Sequence, residues 1–146
     1  MSYSSNSDIQ TRLGSKYVSL TDDSNPGVAD ETRVTQAREF AEAEVDSYLA
    51  RRYAVPLDTG GNTDLATALK AISVDLAVHR LYERKPPVPV EIIQRRTAAI
   101  AWLQGVANGS IVLPGNVEPS PNQTQGLQGK VVGKKKILTP SEFADF

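Results

Sequence analysis

Residues 31–53, ETRVTQAREFAEAEVDSYLARRY, decide the fold of this chain. Apolar positions recur there at spacings of three and four from Val34 to Leu49, which is the period of one face of an α-helix. Asp30 precedes the stretch as a natural N-cap. Pro56 ends it, because a prolyl ring biases the preceding residue away from helical dihedrals. The pattern predicts a long amphipathic helix that serves as the backbone of one domain.

Two further helices are predicted from the same kind of pattern. One begins at Asn62 or Thr63, and its apolar residues cover so wide an arc that contact with more than one neighbour is expected. This predicts the central helix of a bundle. The next begins around Pro89 and ends at Asn108-Gly109, where glycine favours a helix stop.

A shorter helix is predicted ahead of these three, over residues 7–13. Ser7 and Gln10 have the spacing of a capping box, and Gly14 follows as a stop signal. The predicted fold class is therefore all-α, a small bundle of one short leading helix and three main helices.

The composition changes past the third main helix. Residues 110–146 contain four prolines and four glycines, yet they end in apolar groups, Phe143 and Phe146. We predict an extended C-terminal arm here, and the pattern allows a strand or hairpin through residues 131–138. The chain is thus divided into a helical domain at 1–109 and an arm at 110–146.

The composition also excludes several classes of function. The 146 residues carry 16 Lys+Arg against 17 Asp+Glu, with no cysteine and one histidine. Thiol chemistry and two-histidine metal sites are thereby removed. The compact basic run, Lys134 to Lys136, is too small to make nucleic-acid binding the main role. We expect no enzymatic activity, no cofactor and no metal site.

The N-terminal sequence MSYSSNSDIQ has neither basic nor apolar character. The apolar runs elsewhere are only a few residues long, far short of a membrane span. We therefore expect neither a signal peptide nor a transmembrane segment, and a protein made in the cytoplasm.

One loop has part of the pattern of a calcium site. Asp22, Ser24 and Gly27 stand at offsets one, three and six of a calcium loop. The position that needs a bidentate carboxylate is occupied by Arg33, so we favour a turn followed by a helix cap.

The single histidine has two acidic neighbours at helical spacing. His79 lies four residues from both Asp75 and Glu83, an arrangement that could tune a general base. No nucleophile is evident near it, and a surface histidine paired along a helix is the favoured interpretation.

Paired arginines mark candidate contact surfaces. One pair ends the first main helix, where it would compensate the helix dipole, and the other lies within the third. Both pairs could instead meet acidic groups, among them Glu44, on another subunit, although a solvated face is the favoured interpretation of the acidic residues. The residues predicted to form a subunit or partner interface are Arg51, Arg52, Arg95, Arg96, Glu39, Glu42, Lys134, Lys135, Ile137, Leu138, Phe143 and Phe146.

Three motifs in a fixed order carry a resemblance. They are YLARRYAVPL at 48–57, DLAVHRLY at 75–82 and WLQGVANG at 102–109. Together with their flanking sequence, which covers nearly the whole chain, they resemble the Mu-like phage head–tail connector family of head completion or adaptor proteins.

The resemblance implies a helical adaptor in the virion neck. Such adaptors form a ring beneath the portal, with its usual twelvefold symmetry, and extend the DNA channel. The implied partners are the portal, the next neck or tail-completion protein and further copies of the chain. DNA passes through the lumen without sequence-specific binding, and no membrane contact is implied. The residues also permit a second class of function. In this alternative the chain is a prophage regulatory or interaction module that binds a host protein or DNA through the lysine run.

Overall fold

Five α-helices account for the secondary structure of residues 2–114, the part of the chain that the computed structural model describes. They are α1 (Asn6–Leu13), α2 (Lys16–Thr21), α3 (Glu31–Leu49), α4 (Thr63–Glu83) and α5 (Val90–Asn108). The predicted all-α bundle is confirmed. The strand or hairpin considered for residues 131–138 lies outside the described residues.

Helix α3 begins where the sequence predicts. The Asp30 carboxylate accepts hydrogen bonds from the backbone N–H groups of Thr32 (3.0 Å) and Arg33 (3.4 Å). This satisfies donors that the first helical turn leaves unpaired. The predicted apolar face is buried at every aliphatic position, namely Val34, Ala37, Ala41, Val45 and Leu49.

Helix α4 is the central helix, as predicted from its wide apolar arc. Asn62 caps it by accepting from the Leu65 N–H at 2.9 Å. Its residues pack against α1, α2, α3 and α5, and its leucines at 69, 76 and 81 are almost completely buried. Each such side chain contributes about 1.5–3 kcal/mol through burial.

The capping prediction for α1 is wrong by two residues. Ser5, not Ser7, is the N-cap: its Oγ accepts from the Asp8 N–H at 3.2 Å, and the Asp8 carboxylate accepts from the Ser5 N–H at 2.8 Å. Asp8 thus takes the place that glutamate or glutamine usually fills in a capping box. The Ser5 hydrogen bonds hold the pKa of Asp8 below its usual range.

Helix α2 is an element that the sequence pattern did not predict. It has six residues, too few for a helical period to show. Tertiary burial stabilises it, since Tyr17 and Leu20 enter the core and the buried Thr21 hydroxyl donates to the Tyr17 carbonyl at 2.7 Å.

Helix α5 follows its predicted bounds but not its predicted burial. Gly109 ends it in the left-handed conformation, with φ of 91°. Leu103 and Val106 enter the core, whereas Val90 is 68% exposed and Ile93 is 45% exposed. The predicted apolar stripe is therefore buried only over the later turns of the helix.

Helices α3 and α5 run in the same direction. Arg96 of α5 meets Glu44 of α3, and Arg52 after α3 meets Gly109 after α5. At this end the Leu113 N–H donates to the Tyr53 hydroxyl at 3.0 Å, and the Leu113 side chain is buried. Within the first residues of the predicted arm, Ile111 and Leu113 thus pack on the bundle, while Val112 is exposed.

Among residues 2–114, no helix is both long enough and apolar enough to cross a membrane.

Candidate functional site

Glu44 joins three helices through two arginines. Its carboxylate accepts from Arg80 Nη2 at 2.9 Å and from Arg96 Nη2 at 3.0 Å, so α3, α4 and α5 meet at one side chain. The Glu44 side chain is 18% exposed, which reduces the screening of these charges by water. Arg96, which was predicted to face another subunit, is thus paired within its own.

Glu42 binds the N-terminal segment, defined here as residues 2–5. One carboxylate oxygen accepts from the backbone N–H groups of Tyr3 (3.0 Å) and Ser4 (3.1 Å) and from the Ser2 hydroxyl (2.7 Å). Arg38 lies 3.4 Å from the same oxygen. Glu42, the second acid predicted for the interface, therefore serves as an internal anchor.

Arg51 and Arg52 differ in their surroundings. Arg51 is exposed and forms no ion pair with a residue of the described part of the chain. Arg52 is half-buried with its guanidinium against Gly109, where a side chain on Gly109 would collide with it. Arg52 therefore packs within the subunit, while Arg51 remains available at the surface.

Arg95 points in a different direction from Arg96 and is not part of the Glu44 cluster. It lines an apolar groove of about 340 Å³ between α4 and α5, together with Trp102. Arg95 is exposed and has no ion pair among residues 2–114. We call this groove the Arg95 surface; its lining residues are Ala68, Ala71, Ile72, Asp75, Arg95, Ala98, Ala99 and Trp102.

Glu39 and Phe40 form a second exposed surface on α3. Glu39 is exposed without an ion pair to any described residue, and the Phe40 ring is 60% exposed. The Arg80 guanidinium lies 5.9 Å from the centre of that ring. A groove of about 330 Å³ opens beside it, here called the Phe40 groove; it is lined by Arg33, Gln36, Ala37, Phe40, Arg80, Glu83 and Arg84.

His79 is less exposed than the sequence pattern indicates. Its side chain is only 11% exposed, and Nδ1 lies 3.4 Å from Glu83 Oε1 without the alignment of a hydrogen bond. Asp75, the other predicted neighbour, is paired with Arg12 of α1 instead. The predicted i,i+4 pairing is therefore confirmed for Glu83 and wrong for Asp75, and the histidine is mostly buried rather than on the surface.

Burial lowers the pKa of His79 below its usual value of 6.5, although the Glu83 carboxylate opposes the shift. Arg96 and Arg80 also lower this pKa, and Glu44 raises it. The unfolded chain consequently binds the proton more strongly than the folded chain does.

We expect the free energy of unfolding to fall as the pH drops below about 6.5, because protonation of His79 then favours the unfolded chain. Above that pH the histidine is neutral in both states and contributes no slope. Urea titrations of the parent chain and of His79→Gln between pH 7.5 and 5.0 test this. The parent should show the steeper loss; identical slopes would contradict the assignment.

The loop between α2 and α3 uses its acids for internal pairing rather than for a calcium site. Asp22 accepts from Lys85 Nζ at 2.6 Å, and this contact lowers the pKa of Asp22. Asp23 pairs with Arg84, and the Ser24 hydroxyl donates to Asp30 at 2.8 Å. No cluster of metal-binding side chains occurs among residues 2–114.

The remaining predicted interface residues lie outside the described residues. They are Lys134, Lys135, Ile137, Leu138, Phe143 and Phe146. Of those inside, the structure directs Glu42, Arg52 and Arg96 inward and leaves Glu39, Arg51 and Arg95 at the surface. The sequence pattern missed Phe40, although an aromatic among the charges of α3 was a readable signal.

A comparison with protein families finds a match over most of the chain. The model of the family described as Bacteriophage Mu, Gp36 matches residues 3–131, which is most of the chain. No curated protein matches the sequence.

Proposed function

Because the chain belongs to the bacteriophage Mu Gp36 family, we propose that it is a structural head–tail connector of a tailed phage. In this proposal it forms a ring of about twelve subunits beneath the portal, as the family resemblance implies. The ring extends the DNA channel and presents a surface to the next neck or tail protein. It has no catalytic role and reads no DNA sequence.

The Arg95 surface is the observation that carries the proposal. An apolar groove beside an exposed cation is suited to binding another protein surface. The groove provides apolar area to bury, and the charge fixes the alignment of the two surfaces. Arg96, the next residue, is already paired with Glu44 inside the subunit. In this proposal Arg95 makes the contact with the neighbouring subunit.

We assign Glu39, an exposed acid on a different helix, as the residue that meets Arg95 of a neighbouring subunit. It lies on α3, away from the groove between α4 and α5, and has no ion pair with a described residue. A contact between two different surfaces of identical subunits is heterologous and closes into a ring when the rotation permits. The arrangement therefore suits a ring better than a two-fold dimer.

Charge reversal at Arg95 tests the ring contact. We expect Arg95→Glu to lower incorporation into phage particles by about tenfold or more, because attraction becomes repulsion at every subunit contact. Copies per particle are measured by quantitative immunoblotting, with circular dichroism as the test of folding. Lys16→Glu, at an exposed position of α2, is the matched control and should incorporate normally. Normal incorporation of folded Arg95→Glu would remove this surface from the proposal.

Location in the virion tests the connector role itself. Immunogold labelling should place the chain at the head–tail junction, and phage lacking it should accumulate tailless heads. A chain absent from purified particles, or tailed infectious particles made without it, would refute the role and favour a regulatory module.

A further inference from the structure

The Phe40 groove presents an aromatic ring and three cations at one place on the surface. Phe40 is 60% exposed, and Arg33, Arg80 and Arg84 line the groove beside it with a single acid, Glu83. Such a surface favours a ligand that combines aromatic and acidic groups, because the ring supplies apolar contact and guanidinium groups pair with carboxylates and stack on rings.

The three cations are not equally committed to internal contacts. Arg80 pairs with Glu44 through its terminal nitrogen Nη2, and Arg84 pairs with Asp23. Arg33 approaches Asp30 at only 3.9 Å and is 48% exposed. The groove therefore keeps donor capacity beyond its own ion pairs.

The sequence contains a segment of the complementary composition. Phe143 and Phe146 are the only phenylalanines besides Phe40, and they alternate with acids in SEFADF at 141–146. Glu142 and Asp145 are two of the three acidic residues beyond Pro114.

The chain can bring this segment to a groove. Residues 115–140 lie between it and Pro114, a stretch whose fully extended length has an upper limit of roughly 85–95 Å. The rise along α3 from Leu49 back to Phe40 is only about 14 Å.

We propose that the Phe40 groove binds residues 141–146 of a second copy of this chain. The choice of a second copy rests on the proposed function. In a ring, a segment that leaves one subunit and binds the next forms the same contact at every subunit boundary. The phenylalanines contact Phe40, and the carboxylates of Glu142 and Asp145 meet the arginines.

A labelled peptide tests the groove directly. The probe is a fluorescein-labelled peptide of residues 139–146, and the protein is the full chain carrying Phe143→Ala and Phe146→Ala, so that its own segment does not compete. Fluorescence anisotropy should show saturable binding. Adding Phe40→Ala or Arg33→Glu should weaken it about tenfold or more, whereas Arg51→Glu, a charge reversal at the other end of α3, should leave it unchanged. No binding, or equal binding to all variants, would overturn the proposal.

A mass measurement then distinguishes a neighbour's segment from the chain's own. The parent chain, held at about ten times the measured dissociation constant, should elute above monomer mass in size-exclusion chromatography with light scattering. The Phe143→Ala/Phe146→Ala chain should be monomeric. A monomeric parent would assign the segment to its own groove and overturn the intermolecular proposal. Neither assay contains portal or phage, so their failure leaves the connector role to be tested by location in the virion.

Discussion

Replacement of Glu42 by alanine is expected to lower the free energy of unfolding by about 2–4 kcal/mol, since hydrogen bonds to charged groups are each worth about 1.5–3 kcal/mol. The Glu42 side chain is 14% exposed and accepts from the N–H groups of Tyr3 and Ser4. Its loss frees the N-terminal segment. That segment also donates the Tyr3 hydroxyl to Asp46 at 2.5 Å and places the buried Ser4 hydroxyl 2.9 Å from Ser73.

Glu39→Ala is the matched control, because it removes the same side chain from the same helix at an exposed position. It should change stability by no more than about 0.5 kcal/mol. Glu42→Gln should fall between the two, since it keeps an acceptor oxygen but loses the charge opposite Arg38. Urea unfolding followed by circular dichroism gives all three values. Equal losses from Glu39→Ala and Glu42→Ala would show that the N-terminal segment does not depend on this carboxylate.

Replacement of Gly109 by alanine is expected to cost about 1–3 kcal/mol, and two separate effects contribute. The φ of 91° is one that residues with a side chain rarely adopt, which alone costs about 1–2 kcal/mol. An added Cβ would also stand 2.0 Å from Nη1 of Arg52, so the arginine must move. Thermal unfolding provides the measurement.

Two further variants separate these effects. Gly27→Ala isolates the backbone cost, because Gly27 has a φ of 82° and no atom lies within 4 Å of the added Cβ. Combining Gly109→Ala with Arg52→Ala should cost less than the sum of the single changes, since the collision occurs only when both side chains are present. Strict additivity would show that Arg52 moves aside without penalty.

The long helices could be predicted from sequence because their signals are local. The apolar period of α3, the caps at Asp30 and Asn62 and the glycine after α5 all depend on residues within a few positions of one another. Helix α2 could not be predicted in this way, since its stability comes from burial of Tyr17 and Leu20 against distant parts of the chain.

The candidate contact residues were harder to predict because their partners are distant in sequence. Arg95 and Arg96 look equivalent in the sequence, yet adjacent residues on a helix point in different directions, and only Arg96 reaches Glu44. Asp75 has the correct spacing to meet His79, but Arg12, 63 positions away, takes its carboxylate. Local spacing identifies which pairs are feasible, and the tertiary fold selects among them.

The hydrogen bond between Leu113 and Tyr53 gives the ring, as we propose it, a polarity. It fixes the point at which the chain leaves the bundle, and cyclic symmetry would copy that point to one height and one radius in every subunit. The segments beyond Pro114 would then start from a single circle around the ring axis. The two sides would present different chemistry, so a partner that recognises one of them could dock in only one orientation along the DNA channel.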